Sequence, residues 1–227
     1  MSRKKQNKFH VLVLLLLAFT GITVQAKTEV SLVMSDVNSR TGVEAVQKVY
    51  SVYPDLKNRI TFQTYAAQKI GKQQLAEIAD SRIALVFMFD REIARRLKGA
   101  LTEVVTGGGT VYTLSYLFPG RHEELGFQVN EKICAYYNAR GPENMGEGLL
   151  YVLQHELDID VEYDDPEPYP EIGIYDHHNE RIFEDVAAYR KHYAEVRNRY
   201  NPDAPWVGLI FYVSDLAGGQ MDIIDAI

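Results

Sequence analysis

The chain has one cysteine in 227 residues. That excludes an internal disulfide framework and any multi-cysteine zinc or iron–sulfur site. Basic charge is in deficit, with 24 Lys and Arg against 31 Asp and Glu and a net charge of −7. Broad nucleic-acid binding needs a basic face, so that class is excluded as well. Familiar catalytic motifs are missing. Gly107-Gly108-Gly109 lacks the Lys-Ser/Thr of a phosphate-binding loop and precedes a strand pattern, so it reads as a helix stop. His155-Glu156 opens like a zinc-protease helix, but Ile159 stands where the second histidine is needed. Asp158, Asp160 and Glu162 are spaced like a calcium loop, yet Tyr163 occupies the position of the sharp-turn glycine. No Gly-x-Ser-x-Gly elbow occurs, which removes support for a hydrolase nucleophile.

What is present describes a globular protein, because 46% hydrophobic residues with 24% charge suffice for a core. The first 26 residues are set apart. Arg3, Lys4, Lys5 and Lys8 precede the apolar run Val11–Phe19, and Val24-Gln25-Ala26 follows. A basic start, a short apolar stretch and a small-residue ending form a secretory signal pattern. Nine residues reach about 13 Å as a helix, well short of the roughly 30 Å of bilayer hydrocarbon. Export to the periplasm or cell envelope is expected, with no stable membrane span after cleavage. Cleavage removes four basic residues and no acidic one, leaving 20 against 31, a net charge of −11. Cys134 lies in an apolar helical stretch and is expected to be buried and inert.

Strand and helix patterns alternate after residue 27. Strands are expected at 29–36, 59–65, 83–89 and 110–116, the third apolar throughout and so central. Helices are expected at 41–53, 72–79, from Asp90 as cap through Ile93, Leu97 and Leu101, and near 122–139 and 143–156. This order predicts an α/β fold, a parallel-sheet domain with helices on both faces. From Leu157 to Asp164 apolar and acidic residues alternate, which predicts an edge strand with one acidic face. A stiff, proline-rich linker runs to Pro170. A strand at 171–175, a helix carrying Phe183, Val186, Tyr193, Val196 and Tyr200, a strand at 206–213 and the opening of a further helix at 217–227 then predict a second α/β unit.

The expected organisation is a signal peptide at 1–26, an amino-terminal α/β domain at 27–157, the edge strand and linker at 158–170, and the start of a second α/β domain at 171–227. Two parallel strands cannot cover their own faces, so a truncated product is expected. His177-His178 is the one metal-competent feature, because it follows a strand at the carboxyl end where open parallel sheets bind ligands.

Four segments carry a resemblance. PEIGIYDHH (170–178), FEDVAAYRKHY (183–193) and VGLIFYVSDLAGGQMDIIDAI (207–227) resemble consecutive segments of the CobN and magnesium-chelatase large-subunit family, and ARGPENMGEGLLYVL (139–153) resembles the helix before them. Residues 27–138 match only in α/β character. The family's members are long chains that bind a tetrapyrrole and insert a metal with separate ATPase subunits. The signal pattern makes the chain most similar to the exported HmuS-type branch of haemin uptake, where iron leaves the porphyrin. The resemblance therefore implies a haem or corrinoid as substrate or ligand, chelatase ATPase subunits or haem-uptake proteins as partners, and no resident cofactor. Asp176 and His177 stand where relatives often carry histidine then proline, and Val213-Ser214-Asp215 replaces a turn that often holds arginine. No catalytic residue is carried over. Tyr175, His177, His178 and Tyr212 are the expected tetrapyrrole-binding residues, with His177 and His178 as metal ligands. The alternatives are a non-enzymatic haem- or corrinoid-binding module and an inactive truncated product.

Overall fold

The computed structural model describes residues 28–87, 91–115, 126–169, 172–176 and 181–196. The signal-like segment, Asp90, His177, His178, Tyr200, Tyr212, the strand expected at 206–213 and the helix expected at 217–227 lie outside the described residues.

Four parallel strands form the sheet: β1 (Thr28–Met34), β2 (Ile60–Ala66), β3 (Ile83–Val86) and β4 (Thr110–Thr113), in the order β2-β1-β3-β4. The two middle strands are uncharged apart from Glu29 and are buried on both faces. Period-two alternation divides their side chains between two cores. Val30, Leu32, Met34, Ile83 and Leu85 face one core, while Val33, Ala84 and Val86 face the other. Helices α1 (Ser39–Val52), α4 (Glu131–Ala139) and α5 (Gly141–Leu157) cover the first face. Helices α2 (Lys72–Ala79) and α3 (Arg91–Thr106) cover the second, with Ile93, Leu97 and Leu101 buried as their spacing predicts. The α/β class with helices on both faces is the observed architecture. Among the described residues, no helix is long and apolar enough to cross a membrane.

Close backbone approach on the first face depends on glycine. A Cβ on Gly148 of α5 would sit 2.8 Å from the Cβ of Tyr136 on α4. At the junction of these helices Arg140 (φ 66°) and Gly141 (φ 78°) turn the chain sharply, and Tyr169 packs against Gly141.

Three expectations are corrected. The helix expected from residue 122 begins at Glu131, where the Asn130 side chain accepts from the amides of Lys132 (3.0 Å) and Ile133 (3.2 Å). The residues before it run extended, and Gln128 bridges to Tyr112 of β4.

The acidic edge strand is absent. Residues 158–169 have no regular structure and pair with no strand. Ile159 and Val161 do turn inward and the acids outward, so the alternation is real, but it reports burial rather than sheet pairing. Side chains on the helices, and Tyr53 just past the end of α1, satisfy the backbone of this strap instead. Tyr53 Oη donates to Glu162 O (3.3 Å) and accepts from Glu162 N (2.9 Å). Gln154 donates to Val161 O (3.0 Å), Tyr136 Oη donates to Asp164 O (2.6 Å), and Glu147 accepts from Asp164 N (2.8 Å). Asn144 accepts from Glu167 N and donates to Glu167 O, both at 2.8 Å. The acidic, proline-rich stretch to Tyr169 is thus strapped onto the domain.

In the second unit, Phe183 lies in a strand and not in a helix. Strands β5 (Ile174–Asp176) and β6 (Arg181–Phe183) form an antiparallel pair, and α6 (Val186–Val196) follows. The Asp185 carboxylate accepts from Ala188 N at 2.7 Å, which starts α6 three residues beyond Phe183.

Asn144 is buried and bridges α5 to the strap, so its loss leaves several polar groups unpaired. Asn144→Ala is expected to cost about 2–3 kcal/mol on denaturant unfolding. Hydrogen exchange should accelerate at 162–169, while the sheet amides stay protected.

Candidate functional site

Tyr175 is half-buried on β5, opposite Ile182. Its neighbours Ile174 and Asp176 point to the other face of the hairpin, because side chains alternate along a strand. Asp176 is 5% exposed, and a carboxylate so buried requires partners. His192 of α6 is one, with Nε2 lying 3.2 Å from Asp176 Oδ2. Tyr189, His192 and Tyr193 share a helix face at spacings of three and four residues. The His192 ring lies against Phe183, with centroids 4.8 Å apart, and Tyr189 meets the same ring edge-on at 5.5 Å. Arg181 covers Phe183 at 4.7 Å. Burial and the nearby Asp176 charge push the Tyr189 phenol above its ordinary pKa.

This arrangement holds an imidazole in one orientation against a buried carboxylate. Such a pair can take or return a proton, and it resembles the outer partner that orients a metal-bound histidine. Of the four expected binding residues, the described structure places only Tyr175. Among the described residues no three His, Cys, Asp or Glu side chains converge as a metal site. The Asp176–His192 pair is not legible in the sequence, where Asp176 is a departure from a family pattern and His192 stands only within a segment that resembles the family.

A second feature lies at the carboxyl edge of the four-stranded sheet. Crossovers from β1 lead to opposite sides, so the switch point falls between β1 and β3, where open sheets bind ligands. Asp36 follows β1 there. Its Oδ2 lies 3.5 Å from Lys69 Nζ, its amide donates to Gln68 at 3.1 Å, and its Oδ1 is buried with no hydrogen-bond partner among the described residues. Phe87 and Tyr137 stack beside it, 5.1 Å apart, and Asn38 donates to Tyr137 Oη at 2.9 Å. Burial pushes the Tyr137 phenol up to about 12. The opposite edge carries a groove of about 470 Å³ lined by Glu29, Asp80, Arg82 and Gly109. It opens at the amino-terminal ends of the strands, away from the ligand-binding end of such sheets.

Cys134 is buried, as expected, and its thiol donates to Thr113 O at 3.4 Å. Burial pushes that thiol up to about 11, so it is a packing residue and not a nucleophile.

Residues 134–227 match the family model described as CobN/Magnesium Chelatase. The uncharacterized protein MJ0908 of Methanocaldococcus jannaschii is 26% identical over 115 residues, which cover 50% of this chain and 9% of that protein. Among solved structures, the catalytic subunit of cobaltochelatase from Mycobacterium tuberculosis superposes with a TM-score of 0.52 at 12% identity, over 88% of this chain and 15% of that one. The chain thus spans under a sixth of the length of either relative. The α/β fold is shared with the cobaltochelatase subunit, and the carboxyl-terminal residues are similar to the CobN/Magnesium Chelatase family model. The β5–β6 hairpin and α6 lie within the matched residues.

Replacing Asp176 by Asn keeps the shape but removes the carboxylate that holds His192. A loss of about 2–3 kcal/mol is expected for this contact. The His192 ring signals in NMR should move from one fixed environment to averaged positions, and α6 amides should exchange faster.

Proposed function

We propose that the chain forms part of a CobN-like tetrapyrrole metallochelatase, exported to the cell envelope and acting on haem in the manner of the HmuS-type branch. The observation that carries this reading is the family match over 134–227, which contains the buried Asp176–His192 pair. A chelatase must hold a flat macrocycle while two pyrrole protons are lost or regained as metal enters or leaves. A carboxylate–imidazole pair sheltered by Phe183 and Tyr189 suits that proton traffic. Tyr175, on the opposite face of the hairpin, and Tyr212 offer ring surface to a tetrapyrrole, and His177-His178 offers nitrogen ligands to its metal. The basic, apolar amino terminus supports export, and export supports haem over a cytoplasmic corrin substrate. Metal transfer by the whole protein would draw on ATPase subunits or haem-uptake proteins as partners.

Titration with haemin, metal-free protoporphyrin and a corrinoid, read by Soret or visible absorbance, tests the reading. Saturable haemin binding, with a shift diminished in the His177→Ala/His178→Ala double variant, is the expected outcome. Failure to bind any of the three tetrapyrroles overturns it. Binding of the corrinoid alone would overturn the haem assignment and leave the family role standing.

A further inference from the structure

The groove at the amino-terminal edge of the sheet plays no part in the tetrapyrrole reading. It encloses about 470 Å³, within the range of small-ligand sites. Its floor is preformed, because Arg82 N donates to Glu29 O at 2.9 Å and Thr110 N donates to Arg82 O at 3.0 Å. Parallel α/β topology sets its charge. The crossover helices aim their positive amino-terminal ends at the carboxyl edge of the sheet and their negative carboxyl-terminal ends at this one. Three helix ends line the groove: Ala79 closes α2, Gly107 follows α3 and Leu157 closes α5. Neither α2 nor α3 carries a basic residue in its last turn to offset the dipole.

Two carboxylates add to this negative end. Glu29 Oε2 accepts from Gln63 Nε2 at 3.4 Å, and neither Glu29 nor Asp80 has an ion-pair partner among the described residues. Arg82 is the cation of the lining, and its guanidinium donates to Gly108 O just past α3. It shows a cation seated on a helix end at this edge, and it leaves both acids unneutralised. Val104, Leu157 and Ala79 give the same groove an apolar wall. Anionic ligands are repelled here, while an alkyl chain with ammonium ends meets both kinds of surface. We propose that the groove binds a short aliphatic diamine, with its methylenes on Val104 and Leu157. Its ammonium groups are held by Glu29, Asp80 and the carbonyls at the ends of α2 and α3. The site is independent of the tetrapyrrole reading, and most of its lining precedes the family match at 134–227.

Titration of the isotope-labelled full chain with putrescine at fixed ionic strength, read by amide NMR shifts, tests the assignment. Signals of Glu29, Asp80, Arg82 and Gly107–Gly109 should move saturably, and raised salt should weaken the binding. Butylamine, with a single ammonium, should bind about fivefold more weakly, the worth of one partly screened ion pair. Glu29→Gln and Asp80→Asn keep the side-chain shape and should each weaken putrescine by about the same factor. Arg82→Gln removes the competing cation and should tighten binding about twofold. Asp164→Asn, on the exposed strap, makes the same change in net charge and should leave the affinity unaltered. Equal weakening in Asp164→Asn reveals diffuse attraction to an acidic protein and overturns the site. So does the absence of saturable shifts at the groove, or an affinity unchanged in both carboxylate variants. Butylamine binding as tightly as putrescine overturns the diamine assignment. Unchanged amide dispersion away from the groove establishes that each variant is folded.

Discussion

Burial of β1 and β3 on both faces is the constraint from which the rest of the domain follows. Strands so placed need apolar side chains of both parities, and they need helices above and below. The short strands give the sheet little area, so each helix must seat closely. Gly148 against Tyr136 shows how little space remains between α4 and α5. Polar groups inside this layer are paired locally, as where Ser31 and Ser81 meet at 2.6 Å beneath the second core. The same parallel arrangement directs all four carboxyl ends to one edge, which is why Asp36, Lys69, Phe87 and Tyr137 collect there.

The strap shows how an extended segment can be ordered without a sheet. Its apolar residues extend the first core, and its backbone groups find tyrosine, asparagine, glutamine and glutamate side chains in place of a neighbouring strand. Several of the chain's many tyrosines work in this way, with the ring in the core and the hydroxyl on a backbone group. An acidic, exposed face is tolerated because every carboxylate stays in water. The strap also brings residues far apart in the chain, such as Tyr53 and Glu162, into direct contact.

The hairpin and α6 hold the family-matching segment's most constrained chemistry. A buried carboxylate costs free energy unless paired, and Asp176 meets that cost through an imidazole packed on Phe183. Polar pairs kept in such a small unit are a reason to look there for function. The hairpin and α6 lie within the residues that match the family model.

Periodicity alone determined the four parallel strands, the helices on each face and the burial of Cys134, because hydrophobic spacing reflects which side chains leave water. It could not tell the strap from a strand, since both alternate with period two and differ only in what bonds the backbone. It placed Phe183 in a helix because helical spacing and a strand–turn–helix sequence overlap over a few residues. Asp176 with His192, and Tyr53 with Glu162, are invisible for a different reason. Each pairing is made by folding two segments together, and spacing within either segment carries no record of the other.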